Sequence, residues 1–151
     1  MLHTCSKVLN QLYLGNAAAS KDLQFLKGKG ITHVLVCADD CQVCFPEHFE
    51  YKVLPLEDTI DFQILNYFQE SFEFLEASIS EGGTVFVHCR MGASRSASIV
   101  VAFVMKKLGY SFKKAFKFVK KLHPDTHPNF GFQKQLSSYS KQLPKKHCCI
   151  I

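Results

Sequence analysis

Short β-type runs alternate with helical patterns along this chain, and that alternation restricts its fold more than any other feature. Runs rich in β-branched and apolar residues stand at 8–14, 31–37, 51–56 and 84–88. A first helix is expected from a cap at Ser20 through Leu23, Phe25 and Leu26 to the stop at Gly28 and Gly30. A second is expected from a cap at Asp61, with Leu65, Phe68, Phe72, Leu75 and Ile79 at spacings of three and four, ending at Gly82-Gly83. Beyond Arg95 the pattern is helical almost throughout. Residues 96–108 are nearly all apolar and predict a buried central helix, and 111–122 carry Phe112, Phe116, Val119 and Leu122 on one face with Lys113, Lys114, Lys117, Lys120 and Lys121 off it. Pro124 and Pro128 interrupt the pattern before it resumes over 130–143. Strands alternating with helices predict an α/β fold with a largely parallel sheet, whose ligand site lies at the carboxyl ends of the strands.

With 151 residues, 47% hydrophobic and 21% charged, the chain suits one packed domain and excludes disorder over most of its length. Its first residues carry no apolar core of a secretory signal. The longest apolar stretch, 97–105, is about half the ~20 residues that span a bilayer. A soluble protein of the reducing cytoplasm is expected. Its seven cysteines are then candidates for a nucleophile, metal ligands or lipid attachment before disulfides.

The segment 87–96, Val-His-Cys-Arg-Met-Gly-Ala-Ser-Arg-Ser, joins a strand of buried type to the apolar helix. Between them Gly92, Ala93 and Ser94 are small enough for backbone N–H groups to turn inward. Such a loop at a helix N-terminus is a nest of donors for a dianion such as phosphate, here from Arg90, Met91, Gly92, Ala93, Ser94 and Arg95. Arg95 can hold two phosphate oxygens through its planar fork, as lysine cannot. The same field favours the thiolate form of Cys89, which under a bound phosphoryl group is placed for in-line attack.

This segment resembles the HCxxGxxR signature loop of the cysteine-dependent protein phosphatases, with a following Ser or Thr, and every signature position is filled. Leu12-Tyr13-Leu14-Gly15-Asn16, Ile31-Thr32-His33-Val34-Leu35 and residues 128–136 are similar to the early strand, the next strand and the closing helix entry of the dual-specificity branch. The resemblance implies a central, mostly parallel twisted sheet of about five strands flanked by helices, a catalytic domain over 1–143, and a flexible tail over 144–151. It assigns Cys89 as nucleophile, Arg95 as the group on the equatorial oxygens, and Asp58, 31 residues upstream in Leu-Glu-Asp-Thr-Ile-Asp, as general acid. Asp61, the rival acid, is read as the helix cap. Ser96 is expected to bond the Cys89 sulfur and help it leave. His88 is expected to brace the loop rather than act as a base. Asn129 either ties the closing helix to the loop or caps that helix. Arg90 either contacts a phosphopeptide or is a surface residue.

Other signals compete for attention. Cys37, Cys41 and Cys44 have the spacing of the iron–sulfur motif of radical SAM enzymes, but the chain is too short for their barrel. They admit a zinc site with His48 as fourth ligand, free thiols, or a reversible disulfide with oxidised Cys89. The last four residues, Cys148-Cys149-Ile150-Ile151, resemble a Cys-a-a-X prenylation signal at Cys148, with Cys149 a departure at an aliphatic position. Of the charge, 12 acidic and 7 basic groups precede Ala102, and one acidic and 11 basic groups follow it. That basic last third suggests solvation or an anionic membrane surface.

The expected activity is metal- and cofactor-free hydrolysis of phosphotyrosine and phosphoserine or phosphothreonine in proteins, through a phosphocysteine. No nucleic acid partner is expected. Phosphoinositide or RNA phosphatases of the same signature, or a membrane-tethered phosphoprotein-binding module, are the alternatives.

Overall fold

A computed structural model describes residues 2–144. Five strands form one sheet: β1 (Cys5–Leu9), β2 (Leu12–Gly15), β3 (His33–Cys37), β4 (Glu50–Leu54) and β5 (Val85–His88), in the order β1-β2-β5-β3-β4. β1 and β2 pair antiparallel; β2 with β5, β5 with β3 and β3 with β4 pair parallel. The expected mostly parallel sheet of about five strands is the one observed.

The helices are α1 (Ala17–Ser20), α2 (Leu23–Gly28), α3 (Phe68–Ser80, preceded by a 3-10 turn at Ile64–Tyr67), α4 (Arg95–Leu108), α5 (Phe112–Leu122) and α6 (Phe130–Gln142). Because side chains alternate across a strand, Leu35, Val85 and Val87 face one side with α3, α4, α5 and α6. Val34, Val36 and Phe86 face the other, covered by Ala19, Leu26, Ile31 and Phe49. Eleven consecutive residues of α4, Arg95 to Met105, are buried, so this helix is the centre of the larger core. Each fully buried aliphatic side chain there contributes about 1.5–3 kcal/mol.

Three local expectations are corrected. The run 8–14 is two strands, because Gln11 takes φ 64° and turns the chain into a hairpin with Leu9 opposite Leu12. Ser20 ends α1 rather than capping the next helix; Asp22 caps α2 by accepting from the Phe25 N–H. Asp61 caps nothing. The 3-10 turn begins at Ile64 with Gln63 in the cap position and no side-chain cap bond, while the Asp61 carbonyl accepts from Gln63 Nε2 at 3.2 Å.

β2, β5 and β3 end level with one another, Gly15 opposite His88 and Val36 opposite His88. The segments that follow them, at 16–17, 89–94 and 38–41, therefore meet at one edge of the sheet.

Candidate active site

The loop from Cys89 to Ser94 crosses from β5 to α4 at that edge. Its carbonyls are held from outside. Ala17 N–H donates to the Arg90 carbonyl at 3.0 Å and His127 N–H to that of Ala93 at 2.6 Å. His123 Nε2 stands 2.9 Å from the Gly92 carbonyl. A carbonyl only accepts, so His123 carries its proton on Nε2 and takes Ser6 Oγ at 2.8 Å on Nδ1. Burial holds His123 below its ordinary titration range, in keeping with that neutral tautomer. With the carbonyls engaged outward, the amides are left for the concave side. Gly92 adopts φ 72°, and a Cβ there would lie 2.6 Å from the Gly15 carbonyl oxygen, so no other residue fits. Ser94 opens α4 without a side-chain cap bond, which leaves the helix N-terminus turned to the loop.

Cys89 is 2% exposed, with its Sγ 3.0 Å from Ser96 Oγ. His88 is buried, stacks on Phe86 with ring centroids 5.4 Å apart, and stands with Nδ1 3.2 Å from the Cys89 carbonyl. Burial drives its pKa down to about 4. The neutral imidazole donates from Nδ1 to the Cys89 carbonyl.

A cavity of about 410 Å³ is lined by Asp58, Cys89, Arg90, Met91, Ala93, Ser94, Arg95, His127 and Asn129. Asp58 enters from the loop after β4. Asn129 joins the two sides of the cavity: its N–H donates to Ser94 Oγ and its Nδ2 to Asp58 Oδ1, both at 2.9 Å. Its Oδ1 accepts from the Phe132 N–H at 2.9 Å, capping α6. Both roles left open by the sequence fall to this residue, the loop contact through its backbone N–H and the cap through its side chain. Asp61 is absent from this lining.

Besides His123, sequence reasoning missed Asp39 and Asp40, on the segment after β3. Arg95 Nη1 donates to Asp40 Oδ1 at 2.8 Å, to the Leu56 carbonyl at 3.1 Å and to Asp39 Oδ1 at 3.2 Å. Asp40 Oδ2 takes Arg90 Nε at 2.9 Å, so one carboxylate bridges the only two arginines of the chain. Hydrogen bonds from Arg95 and then Arg90 hold Asp40 below the usual carboxylate range. Arg95 Nε is buried with no partner among the described residues. The guanidinium is thus anchored at Nη1, and its remaining edge is open to an oxyanion. A pair of adjacent carboxylates opposite an arginine motif was the available signal, but nothing in the sequence told which arginine they would meet.

A family model described as the dual specificity phosphatase catalytic domain matches residues 12–142. The chain belongs to the dual specificity phosphatase family. It is 39% identical over 138 residues to dual specificity protein phosphatase 1B of Arabidopsis thaliana, covering 91% of this chain and 83% of that protein. Among solved structures it resembles DUSP15, with TM-score 0.86, 34% identity and coverage of 90% and 86% of the two chains. It also resembles the human tyrosine phosphatase-like serine/threonine/tyrosine-interacting protein, with TM-score 0.86, 32% identity and coverage of 91% and 96%.

As in that family's signature, the cysteine and arginine of this loop stand six positions apart. The other cysteines do not assemble into a metal set. Among the described residues the only converging group of three ligand atoms is His33, Glu50 and Glu81, so the reading of Cys37, Cys41, Cys44 and His48 as zinc ligands is withdrawn. Cys37 and Cys41 are free thiols, and burial pushes both up, Cys41 to about 11. Cys148 lies outside the described residues. Among those described, no helix is long and apolar enough to cross a membrane.

Proposed function

We propose that this chain hydrolyses phosphotyrosine and phosphoserine or phosphothreonine in proteins, with Cys89 as nucleophile. One observation carries the reading: Cys89 lines a cavity whose wall also holds Asp58 and an Arg95 anchored from behind. Substrate phosphate docks on the inward amides of residues 90–95, and the open Arg95 edge takes two of its oxygens. The Cys89 sulfur attacks phosphorus, forming an S–P bond as the P–O bond to the side-chain oxygen breaks. Protonated Asp58 gives its proton to that departing oxygen. In the second step Asp58 carboxylate takes a proton from the attacking water, the S–P bond breaks, and phosphate leaves. Ser96 Oγ–H stabilises the departing sulfur. The transition state is helped mainly by fixed donors and positioning.

Asp58→Ala tests this directly. It should lower kcat by ~10²–10⁴ on phosphopeptides and leave phosphate affinity intact; a near-normal rate would sink the acid assignment.

The loop is neutral at Met91, Ala93 and Ser94, which favours protein over phosphoinositide substrates. Rates on phosphopeptides measured beside rates on phosphoinositide vesicles distinguish the two. A second element of the reading is recruitment of the basic last third to an anionic membrane, with prenylated Cys148 as anchor and lysines as the electrostatic partner that one lipid needs. Fractionation of wild type against Cys148→Ser should show the variant leaving the membrane fraction; unchanged partition would remove the anchor.

A further inference from the structure

The amino end of the sheet, opposite the phosphate cavity, holds a second cluster that the phosphatase reaction does not use. His33 opens β3, Glu50 opens β4 directly opposite it, and Glu81 follows α3. His33 is 7% exposed. Its Nδ1 is 2.7 Å from Thr32 Oγ1. That hydroxyl donates to the Thr84 carbonyl at 3.2 Å and accepts from the Thr84 N–H at 2.9 Å. With its one proton committed to the Thr84 carbonyl, Thr32 Oγ1 accepts from His33 Nδ1–H, which leaves Nε2 as the ring nitrogen open to a ligand.

Nε2 stands 3.1 Å from Glu50 Oε2 and 3.7 Å from Glu81 Oε2. Nε2 is buried and makes no hydrogen bond, so neither oxygen lies where an Nε2–H would point. Three electron-rich atoms within 4.8 Å of one another repel unless positive charge sits among them. A proton on Nε2 would lie on the ring axis, off the line to both carboxylates. A metal ion instead occupies the axis and leaves the other donors off it. For bonds of ~2.0–2.2 Å, tetrahedral donors stand roughly 3.3–3.6 Å apart, and the two observed separations bracket that range. The ring is also seated for the purpose: a Cβ on Gly83 would lie 2.7 Å from His33 Cε1 and Nδ1, and Phe74 packs edge-on at 6.0 Å.

We infer that His33, Glu50 and Glu81 form a site for a divalent transition-metal ion of the zinc type, which ties β3, β4 and the end of α3 together. One imidazole and two carboxylates suit such an ion, with solvent completing its coordination. The site stabilises the fold and takes no part in phosphoryl transfer.

The test is a Zn²⁺ titration of full-length protein stripped of metal with a chelator, read by histidine side-chain NMR and by calorimetric Tm. Cys89 and other thiols also take zinc, so the comparison is with Glu50→Gln/Glu81→Gln. Both of those side chains are more than half exposed, and their replacement leaves the core intact. In the wild type the His33 Nε2 resonance should shift with about one equivalent, and Tm should rise by about 5–10 °C at ~100-fold excess over Kd. Both responses should be lost in the double variant. His33 resonances unmoved by zinc, a ring protonated on both nitrogens at neutral pH, or equal responses in the double variant would overturn the site.

Discussion

Arg95 turns one edge to the protein and the other to the cavity, and Asp40 decides which is which. By holding Nη1 at 2.8 Å it fixes the plane of the fork before any phosphate arrives, and its second oxygen orients Arg90. Asp40 is partly exposed, so solvent weakens the pair and its removal should not unfold the chain. Asp40→Ala should raise KM and the inhibition constant of inorganic phosphate together by about tenfold, roughly 1–2 kcal/mol, with a smaller change in kcat. Unchanged phosphate affinity would show that Arg95 orients itself. His88 gives a pH prediction. Its folded pKa of about 4 lies below the ordinary 6.5, so between these values the unfolded chain binds a proton that the folded one rejects. Stability from this residue is complete above about pH 7 and falls as pH drops toward 4. Between pH 7 and 4.5 the loss is about 2–3 kcal/mol. Denaturant titrations at both pH values should show this fraction of the acid sensitivity missing in His88→Gln; an equal loss in both proteins would contradict it.

α6 reaches the cavity through its first turn. Asn129 caps the helix and reaches Asp58 with the same side chain, so Asn129→Ala should act twice. Loss of the cap should cost about 1 kcal/mol in thermal or denaturant unfolding. Loss of the tie should lower kcat roughly tenfold on alkyl phosphates, whose leaving oxygen needs the acid, and less on activated aryl phosphates. Equal effects on both substrates would separate Asn129 from Asp58. The strand, loop and helix around Cys89 were legible because apolar runs and small residues mark them locally. The hairpin at Gln11 was not, since Asn10-Gln11 lacks the Gly or Pro that marks a turn. Asp61 looked like a cap by residue type, yet the chain enters α3 through a 3-10 turn instead. Asp39, Asp40 and His123 escaped notice because their roles depend on contacts 31 to 56 residues away.

The sheet brings the carboxyl ends of β2, β5 and β3 to one edge, where the proposed phosphatase site lies, while the amino end carries the His33 cluster. Much of the parallel topology was readable from alternation, since the connections from β2 to β3 and from β4 to β5 run through helices, whereas β3 and β4 pair parallel across a segment, 38–49, that holds no helix. Which segments meet across the sheet was not, because strand order leaves no local trace in the sequence. The charge asymmetry is also placed: the lysines of α5 lie on its outer face, with Ala115 and Val119 buried beneath, apart from the arginine pair at the cavity. In the proposed mechanism phosphate passes through the Cys89 sulfur. Ser96→Ala, which removes the hydrogen bond at 3.0 Å to that sulfur, should slow breakdown of the intermediate. Rapid quenching of this variant during turnover of an aryl phosphate, followed by peptide mass spectrometry, should show one phosphoryl group on Cys89. A phosphoryl group on another residue, or turnover that persists in Cys89→Ser, would contradict the account.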